Sequence, residues 1–267
     1  MLRSLLGVVF AAALIPPVVF GQRVETGFLD RSIVDAGGMR WYQIFVPRGY
    51  SPDREWPLIL FLHGGGEAGN DGHVQTEIGL GSAIRRHVDR FPAIVVFPQL
   101  RPDSRWNGQE AALALKMLRQ AEDEFATDPK RVYLTGLSRG GAGAWYIAYR
   151  DPERFAALLV VCGRVTPAST LNGKPLPDQD PVVPPTDGEP FAAVAERVKS
   201  LPIWVFHGDA DETISVEESR SVTSALRDGG ASVAYSELPG VGHNAWDAAY
   251  GSAEVMQWLF AQRRSSR

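Results

Sequence analysis

The sequence predicts an α/β fold, a doubly wound and mostly parallel sheet with an antiparallel N-terminal hairpin. Three observations carry that reading. Short apolar runs alternate with amphipathic helical patterns from about residue 55 onward. Most of these runs lack polar–apolar alternation, as strands covered on both faces do. Upstream, "RSIVDAGGMRWYQIFVP" reads as two strands turning around Ala36-Gly37-Gly38.

In chain order the strand candidates are "WPLILFLHG" (Trp56 to Gly64), "AIVVFPQ" (Ala93 to Gln99), "RVYLTGLS" (Arg131 to Ser138), "AALLVVCG" (Ala156 to Gly163) and "PIWVFHGD" (Pro202 to Asp209). All are rich in β-branched and aromatic residues. "SVAYSELPG" (Ser232 to Gly240) alternates somewhat and is placed at a sheet edge. Between them, "AALALKMLRQAEDEF" repeats Ala111, Leu115, Leu118 and Phe125 at helical spacing, with Asp128-Pro129 as the stop. "SVEESRSVTSALRDGG" stops at a glycine pair, and "AEVMQWLF" puts Val255, Trp258 and Leu259 on one face. The one irregular stretch, Gly163 to Pro190, is proline-rich and lacks periodicity. A loop of that length is either a disordered excursion or a lid. Its position after a strand's C-terminal end favours the lid.

At 45% apolar and 22% charged residues, 267 residues hold enough material for one large core. Residues 22–267 are therefore read as a single domain. The net charge of −4, with no basic stripe, argues against a nucleic-acid partner, and the basic tail "RRSSR" reads as a solvated terminus. Residues 1–21 pair one positive charge, Arg3, with an apolar core, a Pro16-Pro17 break and small residues before Gln22. That pattern is a cleaved signal peptide rather than a stable membrane anchor, which places the mature protein in the periplasm or the medium. Cys162 is the sole cysteine, so no internal disulfide forms, and within "ALLVVCG" it reads as a buried core residue.

Chemistry is concentrated in four places. Ser138 lies in Gly136-x-Ser138-x-Gly140, between a strand and the glycine-rich start of a helix. A serine on so sharp a turn needs small neighbours, and it stands at the strand edge where open α/β sheets carry their sites. A serine hydroxyl needs a base. Of five histidines, His243 in "LPGVGHNAW" follows the last strand on a glycine-flexed loop and takes that role. His207 is expected to shape the acid loop, His87 to be a solvated surface residue, and His73 is left unassigned. The orienting carboxylate comes from "VFHGDADET", where Asp211 is chosen over Glu212 and over Asp209, which is expected to hold the loop by backbone hydrogen bonds. "FLHGGGEAG" puts His63-Gly64-Gly65-Gly66 after an early strand, and Gly65 N–H with Arg139 N–H are the expected oxyanion donors. No ligand cluster at metal spacing appears, so no metal or organic cofactor is expected. Trp106 and Trp246 lie within reach of such a cleft, though core packing is expected for each.

These four segments together resemble the α/β-hydrolase superfamily. More narrowly they are similar to its exported bacterial branch related to phospholipase/carboxylesterases, dienelactone hydrolases and the catalytic domain of prolyl oligopeptidases. The likeness runs from about Arg40 to the C-terminus. It implies Ser138 as nucleophile, Asp211 as acid, His243 as base, and Gly65 and Arg139 as oxyanion donors. Many relatives have an apolar residue after the serine; here it is Arg139. The implied activity is cleavage of carboxylic esters, small or polymer-linked, through an acyl-enzyme. A prolyl-oligopeptidase-type peptidase is the alternative, disfavoured because residues 22–55 are too few for the large N-terminal domain of those enzymes.

Overall fold

The computed structural model describes residues 24–167, 170, 171, 174, 175 and 181–264. The expected signal segment, the last three residues of the basic tail and the middle of the irregular stretch lie outside them.

The chain opens with β1 (Gly27–Asp35) and β2 (Gly38–Val46), an antiparallel hairpin in which Asp35 pairs with Gly38. Gly38 has φ +101°, and the Asp35 carboxylate accepts the Gly37 N–H at 2.6 Å, so the tight turn is fixed by glycine and an Asx bond. Next come β3 (Trp56–Leu62), α1 (Leu80–Arg86), β4 (Ile94–Pro98), α2 (Gly108–Glu124), β5 (Thr127–Leu137), α3 (Arg139–Arg150) and β6 (Ala157–Val161). A two-stranded pair, β7 (Thr170–Leu171) and β8 (Lys174–Pro175), precedes α4 (Pro190–Val198). The chain then finishes with β9 (Ile203–Gly208), α5 (Glu217–Asp228), β10 (Val233–Leu238), α6 (Trp246–Gly251) and α7 (Ala253–Ala261).

Among the described residues the main sheet has eight strands in the order β1-β2-β4-β3-β5-β6-β9-β10. It is parallel from β4 to β10 and antiparallel at the β1–β2–β4 end. The apolar runs lack alternation because both faces are covered. Leu58, Leu60 and Leu62 of β3 join one core with Leu118 of α2, Ile147 of α3, Val194 of α4 and Leu226 of α5. Ile59 and Phe61 point the other way, into a core closed by Ile84 of α1, Tyr250 of α6 and Leu259 of α7. The period-2 geometry of a strand thus feeds two hydrophobic layers at once. No helix among the described residues is long and apolar enough to cross a membrane.

Two local expectations change. Asp128-Pro129 does not stop the helix: α2 ends at Glu124, and the pair lies inside β5, where the register with β3 shifts between Trp56 and Leu58. There the buried Asp128 carboxylate accepts from Lys130 N–H at 2.9 Å and from Arg131 Nε at 2.7 Å, and pairs with Arg263. The proline sits in the bulged part of the strand, where a missing N–H is tolerated. The strand β10 is at the edge as expected, yet its six residues are all half-buried, so its alternation in sequence has no counterpart in burial.

Candidate active site

Every candidate residue lies past the C-terminal end of a strand, on loops meeting above the middle of the sheet. Ser138 joins β5 to α3 at φ +54° and ψ −118°, a strained conformation for a residue with a Cβ. The turn closes only because its neighbours lack side chains. A Cβ on Gly140 would fall 1.9 Å from the Leu62 carbonyl oxygen, and one on Gly136 would fall 2.2 Å from that of Gly140. The Ser138 N–H donates to Val161 O at 2.9 Å, which ties the turn to β6.

His243 Nε2 is 2.8 Å from Ser138 Oγ, and His243 Nδ1 is 2.7 Å from Asp211 Oδ2. The three expected residues, 32 and 105 positions apart along the chain, therefore form one hydrogen-bonded line. The Asp211 side chain is fully buried, and its acceptor capacity is used. Oδ1 takes the N–H groups of Thr213 (2.8 Å) and Ile214 (3.0 Å), while Oδ2 faces both His243 and His207 Nε2 (3.1 Å). Burial works against the Asp211 carboxylate, but the His243 bond and the two backbone donors outweigh it and hold its pKa below the usual range. His207 behaves as expected of a loop-shaping residue. Completely buried, it bonds Ser219 Oγ through Nδ1 at 2.7 Å and reaches Asp211 and Ile214 O through Nε2. Burial lowers its pKa, so it is a neutral donor to Asp211. Asp209 also holds its loop, accepting Gly240 N–H at 2.7 Å, and Glu212 is exposed.

Cys162 is fully buried, and its thiol donates weakly to His243 O at 3.5 Å. Burial pushes its pKa up, so it is not a thiolate. Cys162, Asp211 and His243 offer ligand atoms within 4.8 Å of one another. The carboxylate and both ring nitrogens, however, are already committed to hydrogen bonds within the line.

The turn His63–Gly66 runs beside Ser138: a Cβ on Gly64 would lie 3.6 Å from Ser138 Cβ. Gly65 faces Arg139, since a Cβ there would lie 2.9 Å from Arg139 Nη2. Gly65, Ser138 and Arg139 all line the same cleft, so the two residues expected to supply oxyanion donors share it with Ser138. Beneath the turn His63 is completely buried. It bonds Gly64 O through Nδ1 at 2.7 Å and accepts Leu100 N–H through Nε2 at 2.9 Å. Burial lowers its pKa to about 4. Its carbonyl accepts Trp106 Nε1–H at 3.0 Å. His73, by contrast, is far from this line, bonded to Gln43 at 2.9 Å, and half-buried His87 terminates α1.

The cleft holds about 640 Å³. Trp106 is both core and wall, with only 2% of its surface exposed. Trp246 also does both: half-buried, it packs against the second core and lines the cleft edge-on to the His243 ring, with centroids 5.4 Å apart. Both described ends of the irregular stretch reach the cleft, through Val165 to Pro167 and through Pro181 and Val182. Glu218 holds the first end by accepting Val165 N–H at 2.9 Å, and Arg150 holds the second by donating to Val182 O at 2.9 Å. Sequence reasoning missed Glu67, Arg105 and Arg164 as lining residues. The only signals were the position of Glu67 directly after the glycines and the loop locations of the two arginines.

Comparison with known proteins adds family and fold. The model of the family described as "Esterase: Putative esterase" matches residues 36–246. Over 133 residues the chain is 29% identical to "Probable feruloyl esterase C" of Aspergillus flavus, covering 47% of each, so it spans about half the length of the curated relatives it matches. A thermostable esterase crystal structure superposes with a TM-score of 0.73 at 32% identity, over 89% of this chain and 63% of that one. A feruloyl esterase module from Clostridium thermocellum, complexed with sinapinate, shares the fold at 15% identity, with a TM-score of 0.62 over 90% of each chain.

Proposed function

The chain belongs to the putative esterase family of the α/β-hydrolase superfamily, and on that premise we propose an exported serine hydrolase that cleaves carboxylic esters through an acyl-enzyme. The observation that carries the reading is the unbroken line from Ser138 Oγ through His243 to Asp211, with contacts of 2.8 and 2.7 Å. His243 Nε2 takes the Ser138 proton as Oγ attacks the ester carbonyl. The Gly65 and Arg139 N–H groups receive the developing oxyanion. Asp211, fixed by four donors, stabilises the imidazolium and keeps its Nδ1–H pointed inward. His243 then protonates the leaving alcohol, and next activates the water that releases the acid. Export rests on the signal pattern of residues 1–21 alone.

The test is labelling by a fluorophosphonate probe together with turnover of 4-nitrophenyl acetate. Both are expected in the wild type, and both are lost in Ser138→Ala. A well-folded wild type that takes no probe overturns the reading. Faster cleavage of a prolyl anilide than of the acetate puts the peptidase alternative first. Methyl ferulate joins the ester panel because the matched fungal relatives are named feruloyl esterases. Secretion with a mature N-terminus at Gln22 checks export, and retention of residues 1–21 contradicts it.

A further inference from the structure

The chain carries a net charge of −4, yet among the described residues its cleft is lined by three arginines, Arg105, Arg139 and Arg164, against one carboxylate, Glu67. They arrive from three separate segments: the loop between β4 and α2, the first residue of α3, and the loop after β6. All three are half-buried. Burial lowers the pKa of Arg105, and the charges of Arg139 and Arg164 lower it further, so like charges are held close in a partly dehydrated wall. Burial likewise lowers the pKa of Arg139, opposed by Asp103 and Glu67. Burial pushes the Glu67 carboxyl up, which weakens its ability to neutralise the group.

On the β6 side the Glu218 carboxylate is already used. Both Glu218 oxygens are taken by Thr166, with Val165 N–H sharing one of them. Arg164 Nε is buried and has no acceptor among the described residues. A guanidinium cluster beside Ser138 is disfavoured for folding alone, and guanidinium forks are well suited to hold a carboxylate.

We propose that the cleft selects esters bearing a second, anionic group of carboxylate type, held by Arg105, Arg139 and Arg164 while Ser138 attacks the ester carbonyl. This rests on the serine-esterase reading above. The anion belongs either to the acyl part or to the alcohol part. The shared requirement is one compact negative group within reach of a cleft of about 640 Å³.

Two matched pairs separate the sources. On the acyl side, the mono-4-nitrophenyl ester of adipic acid is compared with its methyl ester. On the alcohol side, 4-acetoxybenzoate is compared with methyl 4-acetoxybenzoate. In one arm kcat/KM for the anionic member is expected to exceed the neutral one by about tenfold at low salt. That ratio falls as salt rises, and it collapses towards one in Arg105→Gln/Arg164→Gln. The salt series on the wild type stands independently of how well the variant folds. Calorimetric binding of the acyl pair to Ser138→Ala gives the same comparison without turnover. Hydrolysis of neutral esters with no anionic preference in either arm overturns the anion subsite and leaves the esterase. Tighter binding of the anionic member, in a protein whose wild type turns over no ester, overturns the esterase and leaves the subsite.

Discussion

His63→Gln tests whether the turn beside the nucleophile rests on a histidine that is neutral because of its partners. Gly64 O can only accept and Leu100 N–H can only donate, so Nδ1 carries the proton and Nε2 is the acceptor. A second proton on Nε2 would face the Leu100 N–H inside a completely buried site. Burial accordingly lowers the pKa from 6.5 to about 4. The unfolded chain then binds a proton that the folded chain refuses between these two values. Stability from this group is complete above pH 6.5 and falls as acid is added through that window. The full loss is about 3 kcal/mol, and most of it has occurred by pH 4.5.

The assay is urea unfolding followed by tryptophan fluorescence, on wild type and His63→Gln, from pH 7 to pH 4.5. At pH 7 the substitution is expected to cost about 2–3 kcal/mol, because a flexible amide replaces a packed ring and meets Gly64 O and Leu100 N–H less well than the two fixed ring nitrogens do. At pH 4.5 the two proteins should differ by about 2 kcal/mol less. His207, also lowered by burial, titrates in both proteins and cancels from the difference. A gap that stays constant from pH 7 to pH 4.5 refutes the reasoning.

Four further outcomes follow from the same geometry. Ser138→Gly relieves the +54° φ and is expected to raise stability by about 1 kcal/mol while ester turnover drops by at least about 10⁴-fold; a lower Tm contradicts the strain argument. His207→Leu removes one of the two donors on Asp211 Oδ2, so kcat is expected to fall about tenfold with KM nearly unchanged, and an equal rise in KM instead points to collapse of the loop. Gly140→Ala would place a Cβ 1.9 Å from a backbone oxygen, and it is expected to cost at least about 3 kcal/mol or prevent soluble expression. Gly65→Ala meets only the movable end of Arg139 and should fold, which a comparison of the two melting curves decides.

The sheet and the line Ser138–His243–Asp211 were legible in the sequence for a shared reason. A strand covered on both faces writes an unbroken apolar run, and the end of that run locates the loop that follows it. Ser138 and Asp211 stand within three residues of such an end, at Leu137 and Gly208, and His243 stands five residues past the end of the edge strand at Leu238, so their order along the chain already implied their meeting. Asp128-Pro129 misled because proline marks a helix stop and a strand bulge alike, and only the register shift against β3 separates the two. Trp246 packs against the second core as expected, and it also edges the cleft because it starts a six-residue helix three positions after His243, a spacing that brings its ring edge-on to the imidazole. Arg105 and Arg164 left no periodic trace, because each lies on an irregular loop and draws its meaning from the other and from Arg139. A nucleophile, a base and an acid can be ordered along one chain by where strands end. The charge of a cleft wall is set by three loops converging from different crossovers, and it exists only once they are folded together. The residues proposed to select the substrate therefore belong to a different class from those proposed to activate Ser138, and substitutions at Arg105 and Arg164 should separate the two properties experimentally.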